Sequence, residues 1–307
     1  MAARFADAPG AEVTLEANPG AADASRFAGY RAAGVNRLSV GVQSFEKGVL
    51  HALGRKHDGA EAERAVLSAR AAGFDNVSAD FIYGAVGQTA EEAESDARRA
   101  VALPLSHLSA YALTLEPELL AEPVPLARAV ARGEVALPSD DEALAMSDAV
   151  RGVYAAAGFD RYEISNYARP GFHSRHNALY WTGGETLALG AGATGFARTG
   201  PTSALRYSNP RGAERYLAAV EAGRLPDGTS ERLGSVQLFT ERLAMGLRLT
   251  CGVDLDAVCR AFDVPYPARR GCADEFVARG LARWNGPRLG LTPAGADLHT
   301  ELASRLM

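Results

Sequence analysis

The chain has 307 residues, 47% of them apolar, and a formal charge of -5 at neutral pH. That length buries a large core and suits one large domain with a smaller one rather than three. The charges are spread without acidic or basic blocks, which argues against a nucleic-acid or membrane-surface protein and leaves small soluble ligands as the expected partners. The first residues lack the apolar core of a signal peptide, and no apolar run reaches the roughly 18 residues of a spanning helix, so the expected location is the cytoplasm. Cys251, Cys259 and Cys272 are too few for a disulfide framework, and their spacing fits no common zinc or iron-sulfur pattern.

Taken in chain order, a strand over 12–17 is followed by a helix over 22–33. Residues 37–57, RLSVGVQSFEKGVLHALGRKH, read as a buried strand (Leu38, Val40, Val42) that ends in Gln43. A turn at Ser44-Phe45 leads to a helix over 46–54, with Arg55 just past it. Helices over 59–72 and 89–103 then alternate with strands over 76–83 and 107–115. RAAGVNRLSVG, RAAGFDNVSADFIYG and YAAAGFDRYEISN repeat one unit, an Ala-rich helix stopped at a glycine that can take the left-handed cap, then a strand. A helix over 139–157 and a strand over 161–165 are expected to add a further unit. This order implies right-handed βα units with parallel pairing, and an α/β fold closing toward a barrel or part-barrel.

Polar residues sit where the strands end. Glu16 closes the first and Gln43 the second, Asp80 stands in the third, and Tyr111 and Thr114 lie in the fourth. Any one of them is explained by capping or by pairing with an arginine. A ring of carboxylate, amide and guanidinium is costly to bury unless a ligand meets it, and it fits a ligand carrying an ammonium, a carboxylate and hydroxyls.

The run from Glu12 to Pro117 contains LEANP, RLSVGVQSF, LGRKHD, DFIYG, GQT and LTLEP in that order, and YEISNYARPG and RHNALYW follow. In these motifs the chain resembles the HemW-type haem chaperones, which share the radical SAM family with oxygen-independent coproporphyrinogen III oxidase. The likeness covers nearly the whole chain. It implies a TIM-like part-barrel with S-adenosylmethionine at its open end beside a 4Fe-4S cluster, and it puts Glu16, Gln43, Arg55 and Asp80 at positions that contact S-adenosylmethionine. The side chains suit that role: carboxylates accept from ribose hydroxyls or the ammonium, a guanidinium forks onto a carboxylate, and an amide orients without adding charge. None is expected to act as acid or base, because the radical step belongs to the cluster and cofactor.

The family's CxxxCxxC motif and GGGTP-like segment are not in this chain, which begins at what would be the third strand. A truncated gene model or late start is the expectation, with a paralogue that lost the chemistry as the alternative. Strand 12–17 is then expected to be an exposed edge, and the chain poorly soluble.

In the stretch 162–195, HNALYW matches the HNxxYW motif of the HemW type. His176, with Asn177 beside it, is either a loop histidine bonded to backbone or a ligand for haem iron or a propionate. Tyr180 and Trp181 are expected to fill the wall of the core. GAGATG at 190–195 formally fits GxGxxG, but no helix follows, which excludes a Rossmann site. The resemblance puts this glycine turn near S-adenosylmethionine through Thr194, although Thr194 and Gly195 depart from the family's GAGAHS.

From about Arg224 a helical module is expected: an amphipathic helix over 231–248, two further helices to Arg279, and a hairpin around Asn285-Gly286. That is a winged-helix shape, but Glu231 to Met307 holds ten Arg against nine Asp plus Glu, no excess for DNA. The expected domains are 1–200, a part-barrel lacking its first two βα units, and 201–307, a helical lid. Three functions follow from the resemblance: a chaperone that binds haem and passes it to apoproteins, an oxidase that decarboxylates two propionates, or a catalytically dead binding scaffold. HNALYW and the compact length after the barrel favour the chaperone.

Overall fold

The computed structural model of the chain describes residues 8–21, 24–115, 125–226 and 228–307. Glu116 and Pro117 of the LTLEP run, and positions 22–23 of the expected first helix, lie outside the described residues. The chain divides into two compact units, Met1–His173 and Ser174–Met307. A boundary at residue 200 would instead pass between two strands, Thr194–Gly200 and Ser203–Ser208, that pair with each other.

The first unit runs β1 (Thr14–Ala17), α1 (Ala24–Ala32), β2 (Arg37–Gln43), α2 (Lys47–Ala52), α3 (Gly59–Ala71), β3 (Asn76–Tyr83), α4 (Ala90–Ala102), β4 (His107–Ala112), α5 (Pro125–Ala131), α6 (Asp140–Ala156), β5 (Asp160–Arg161) and β6 (Asn166–Ala168). β1 to β4 pair in parallel in chain order, as the repeated unit leads one to expect. The parallel strand expected at 161–165 does not form. Glu163 accepts from the backbone N–H of Ser165 (2.7 Å) and from Asn166 Nδ2 (2.6 Å), the chain reverses, and β6 returns antiparallel between β4 and β5. The sheet is ordered β1-β2-β3-β4-β6-β5, with β1 and β5 as its edges among the described residues.

One face of this sheet is apolar by the two-residue period of a strand. Leu38, Val40 and Val42 of β2, Val77 and Ala79 of β3 and Leu108 of β4 pack against Phe27 of α1, Val66 of α3, Ala97 of α4 and Tyr154 of α6. Helices α3, α4 and α6 each start in a reciprocal capping box, Asp58 with Glu61, Thr89 with Glu92 and Ser139 with Glu142. Each box satisfies end N–H groups that would otherwise have no partner.

The second unit runs α7 (Arg175–Thr182), β7 (Thr194–Gly200), β8 (Ser203–Ser208), α8 (Ala213–Glu221), β9 (Thr229–Leu233), α9 (Ser235–Arg248), β10 (Val253–Asp254), α10 (Leu255–Ala261), α11 (Tyr266–Ala278), β11 (Ala282–Asn285), β12 (Arg288–Leu291), α12 (Pro293–Asp297) and α13 (His299–Leu306). The helix expected at 231–248 is divided. Its first residues are β9, paired with β8 in a three-stranded antiparallel sheet, and α9 begins only after Gly234. Helices α9, α10 and α11 followed by the β11–β12 hairpin give the expected winged-helix-like order around Leu243, Leu247, Leu255, Phe276 and Leu289. The hairpin turn falls on Gly286-Pro287, one residue later than expected, because Asn285 pairs with Arg288 and Gly286 takes the positive φ of 58°.

The turn after β2 is held by a single carboxylate. Asp96, buried on α4, accepts from Ser44 Oγ and from the Phe45 N–H (2.8 Å), while Ser44 Oγ in turn accepts from the Glu46 N–H at 2.9 Å. Arg99, one turn further along α4, lies 4.4 Å from the Phe45 ring centroid and pairs with Glu63 at 2.8 Å. Burial is the main influence on Asp96 and pushes its carboxyl up to about 6, against the hydrogen bonds from Ser44 and Phe45. A carboxyl that holds its proton more tightly folded than unfolded contributes stability below its unfolded range, and that contribution is lost as pH rises through about 6. The difference in unfolding free energy between wild type and Asp96→Asn, measured in urea, should therefore shrink by about 2 kcal/mol between pH 4 and pH 7. Two parallel stability curves would show that Asp96 is ordinary in its titration.

Candidate functional site

The sheet face away from the helices is polar for the same reason that the other is apolar. Arg37, Ser39, Gly41 and Gln43 of β2 alternate with its apolar residues, Ser78 and Asp80 alternate in β3, and His107, Ser109 and Tyr111 alternate in β4. Register places Glu16 beside Ser39, Ser39 beside Ser78, and Asp80 beside Ser109. Ser39 Oγ donates to the Asp80 carboxylate, 3.1 and 3.0 Å from its two oxygens. Burial pushes the Asp80 carboxyl above its ordinary range; Ser109, Ser39 and Arg37 oppose this, and Glu16 adds to it. Arg37 Nε and Asn166 Oδ1 are buried without a hydrogen-bond partner among the described residues. Two carboxyl groups on neighbouring strands, one of them reluctant to ionise, suit a cationic, hydroxyl-bearing ligand.

Toward the carboxyl ends of the strands, Gln43, Asp80, Ile82, Tyr111 and Thr114 line an open cavity of about 410 Å³. Gln43 sits there at a φ of 67°, the left-handed region that a side chain enters only when its surroundings impose it. The turn pinned by Asp96 begins at the next residue, and the ladder between β2 and β3 shifts register between Val40 and Gln43. Arg55 lines a different depression, of about 530 Å³, with Asn18, His57 and Glu61. Gly41 adjoins both: a Cβ there would lie 2.8 Å from Gln43 Nε2 and 3.6 Å from Asn18 Oδ1. Glu16, Gln43 and Asp80 thus gather on neighbouring strands, and Arg55 stands at the adjoining depression. Arg37, Ser39, Ser78, His107 and Ser109 were not singled out from the sequence, although the alternation in RLSVGVQ and HLSAYA carries them.

At the amino-terminal end of the same face, Ser78 Oγ and His107 Nδ1 are hydrogen-bonded at 2.7 Å, His107 Nε2 and the Tyr162 hydroxyl at 2.8 Å, and Tyr162 stacks on His173 with ring centroids 4.2 Å apart. Burial pushes the His107 imidazole well below its usual range, helped by Arg37 and His173. Ser78 and His107 are both 0% exposed, so this serine–histidine pair meets no substrate and serves the fold.

In the second unit the HNALYW stretch is a helix rather than a loop. The Ser174 side chain caps α7 by accepting from the Asn177 N–H at 3.3 Å, and Gly183 ends it at a φ of 68°. His176 is exposed on the first turn, and its Nε2 is hydrogen-bonded to the Tyr180 hydroxyl one turn later at 3.2 Å. Asn177 is half-buried beside it. Tyr180 and Trp181 do not join the core as expected; both line a cavity together with Thr194 and Gly195. Thr194 opens β7 and shares a 2.7 Å hydrogen bond with Ser208. GAGATG is thus a glycine turn that enters a strand, in keeping with the exclusion of a Rossmann site.

Among the described residues no group of three or more His, Cys, Asp or Glu is placed to hold a metal ion. Cys251, Cys259 and Cys272 all lie in the second unit, exposed, buried and intermediate in turn. The residues described do not fit a 4Fe-4S cluster.

The model of the Radical SAM superfamily matches residues 1–100. The heme chaperone HemW of Mycobacterium tuberculosis is 37% identical over 303 residues, 99% of this chain and 73% of that protein. HemW of Bacillus subtilis is 32% identical over 295 residues, covering 95% of this chain and 74% of its own. HemW of Escherichia coli is 42% identical over 193 residues, 63% of this chain and 49% of its own. Among solved structures, the coproporphyrinogen III oxidase HemN of Escherichia coli, a radical SAM enzyme, superposes with a TM-score of 0.74 at 20% identity, over 96% of this chain and 69% of its own, which shows the fold. No described helix is long and apolar enough to cross a membrane.

The buried chain at the amino-terminal end of the strands is testable on stability alone. Tyr162→Phe removes the hydroxyl that partners His107 Nε2 and should lower the unfolding free energy by about 1–3 kcal/mol, the usual cost of orphaning a buried polar atom. A variant as stable as wild type in urea would mean that water replaces the hydroxyl.

Proposed function

The chain belongs to the HemW-type radical SAM family, and from that premise we propose that it is a haem chaperone that binds haem through the HNALYW helix and S-adenosylmethionine on the polar face of the first unit. The carrying observation is His176, an exposed imidazole on the first turn of α7 that is hydrogen-bonded to the Tyr180 hydroxyl one turn later. An imidazole in reach of solvent can ligate haem iron. Asn177, beside it, supplies an amide that can hydrogen-bond the cargo. In this reading the protein works in the cytoplasm and delivers haem to apoproteins.

The S-adenosylmethionine assignment rests on charge and shape. The sulfonium and ammonium would find Asp80 and Glu16, and the Arg55 guanidinium would take the carboxylate. Gln43, fixed by its backbone, would orient the cofactor. These residues only bind and orient the cofactor.

Haem titration should show a Soret shift that His176→Ala weakens at least tenfold; equal affinities would remove His176 from the site. Separately, Gly41→Ala should leave the urea midpoint nearly unchanged, because the obstructed atom is the flexible end of Gln43, yet weaken S-adenosylmethionine in calorimetry at least tenfold. Undiminished binding would detach Gln43 from the cofactor.

A further inference from the structure

The cavity behind α7 is lined by more cations than carboxylates. It encloses about 420 Å³ between α7, β7, β8 and α9, within the size range of small-molecule sites. Tyr180, Trp181, Phe196, Leu238 and Met245 form its apolar wall. Three arginines also line it, with one carboxylate, Glu241. Glu241 is committed to Arg206 at 2.6 Å, and Arg206 further faces Glu231 at 3.6 Å. That leaves Arg198 and Arg242.

Both remaining guanidiniums reach only carbonyls at the end of α7. Arg242 Nη1 donates to the Trp181 carbonyl at 3.2 Å, and Arg198 Nη2 to the Gly183 carbonyl at 3.5 Å. Among the described residues neither pairs with a carboxylate. Arg242 is half-buried, and its pKa is pushed down by burial first and then by Arg288 and Arg198. Gly183 makes their convergence possible: a Cβ there would lie 3.3 Å from Arg242 Cδ and 3.8 Å from Arg198 Nη2. Trp181 Nε1 adds a buried N–H without a partner among the described residues. The exposed Arg198 beside the half-buried Arg242 makes a like-charge pair that an anion relieves, and guanidiniums match carboxylates in pairs.

We propose that this cavity reads the carboxylate edge of a planar tetrapyrrole, with the two propionates on Arg198 and Arg242 and the ring edge against Tyr180 and Trp181. The assignment rests on the haem-binding reading above and adds to it the part of the cargo that is recognised. It makes recognition independent of the iron, so a metal-free porphyrin diacid binds as well, whereas the same ring with esterified propionates does not.

The test titrates the full chain with haem, iron-free protoporphyrin and protoporphyrin dimethyl ester, followed by porphyrin absorbance and fluorescence. Wild type should bind the diacid at least tenfold more tightly than the diester. Arg198→Met with Arg242→Met should lose that preference, and His176→Ala should keep it. Arg198→Glu, at an exposed position, guards against a folding effect and should weaken the diacid at least as much with an unchanged melting midpoint. Equal diacid affinity in wild type and the double arginine variant overturns the proposal, as does a wild type that binds the diester equally well. A His176→Ala variant that binds haem like wild type overturns the axial ligand alone, and the arginine result then stands by itself.

Discussion

The site of the first unit depends on one buried carboxylate. Asp96 takes hydrogen bonds from Ser44 and Phe45, the two residues after β2, and so decides where that strand stops and how the chain leaves it. Gln43, immediately before, then has to turn through the left-handed region, which an amide side chain does not choose unaided. The cost is borne by α4, whose Asp96 and Arg99 are spent on the turn rather than on solvent. Without that helix, β2 would be a well-packed strand with an unpositioned tip.

The other constraint is the period of two. A strand that must bury Leu38, Val40 and Val42 against helices has no freedom over what the intervening residues face, and in β2 to β4 these are polar throughout. The buried polar face is costly, and the protein limits the cost unevenly. At the amino-terminal end it is closed by hydrogen bonds through Ser78, His107 and Tyr162. Toward the carboxyl ends Asp80 has only hydroxyls and a distant arginine, and the imbalance remains. Closed polar chemistry at one end and open polar chemistry at the other separates scaffold from site along one sheet.

Much of this was legible before any coordinates. The Ala-rich helices stopped at Gly34, Gly73 and Gly158 lie within a residue or two of where the pattern places them, because capping and periodicity are local. What escaped was non-local. The carboxylate of Glu163 turns an apparent strand back on itself, and only the neighbouring backbone reveals it. Residues 229–233 continue the amphipathic period of α9, yet pairing with β8 claims them for a sheet. Tyr180 and Trp181 have the composition of core residues; they line a cavity together with Gly183, Gly184 and Gly195, a juxtaposition that no hydropathy pattern weighs. Asp96 looks from sequence like any acidic residue in a surface helix.

The hydrogen bond between His176 Nε2 and the Tyr180 hydroxyl has a kinetic meaning. Nε2 is already occupied, so anything that takes it does so by exchange and not by addition. On the proposed reading, haem iron arriving there would displace a hydroxyl, and on its departure the same hydroxyl would cover the nitrogen again. Net association is weakened by about one hydrogen bond, on the order of 1 kcal/mol, and departure is assisted by an internal competitor. A storage protein has no use for such a latch, whereas a carrier that must let go does.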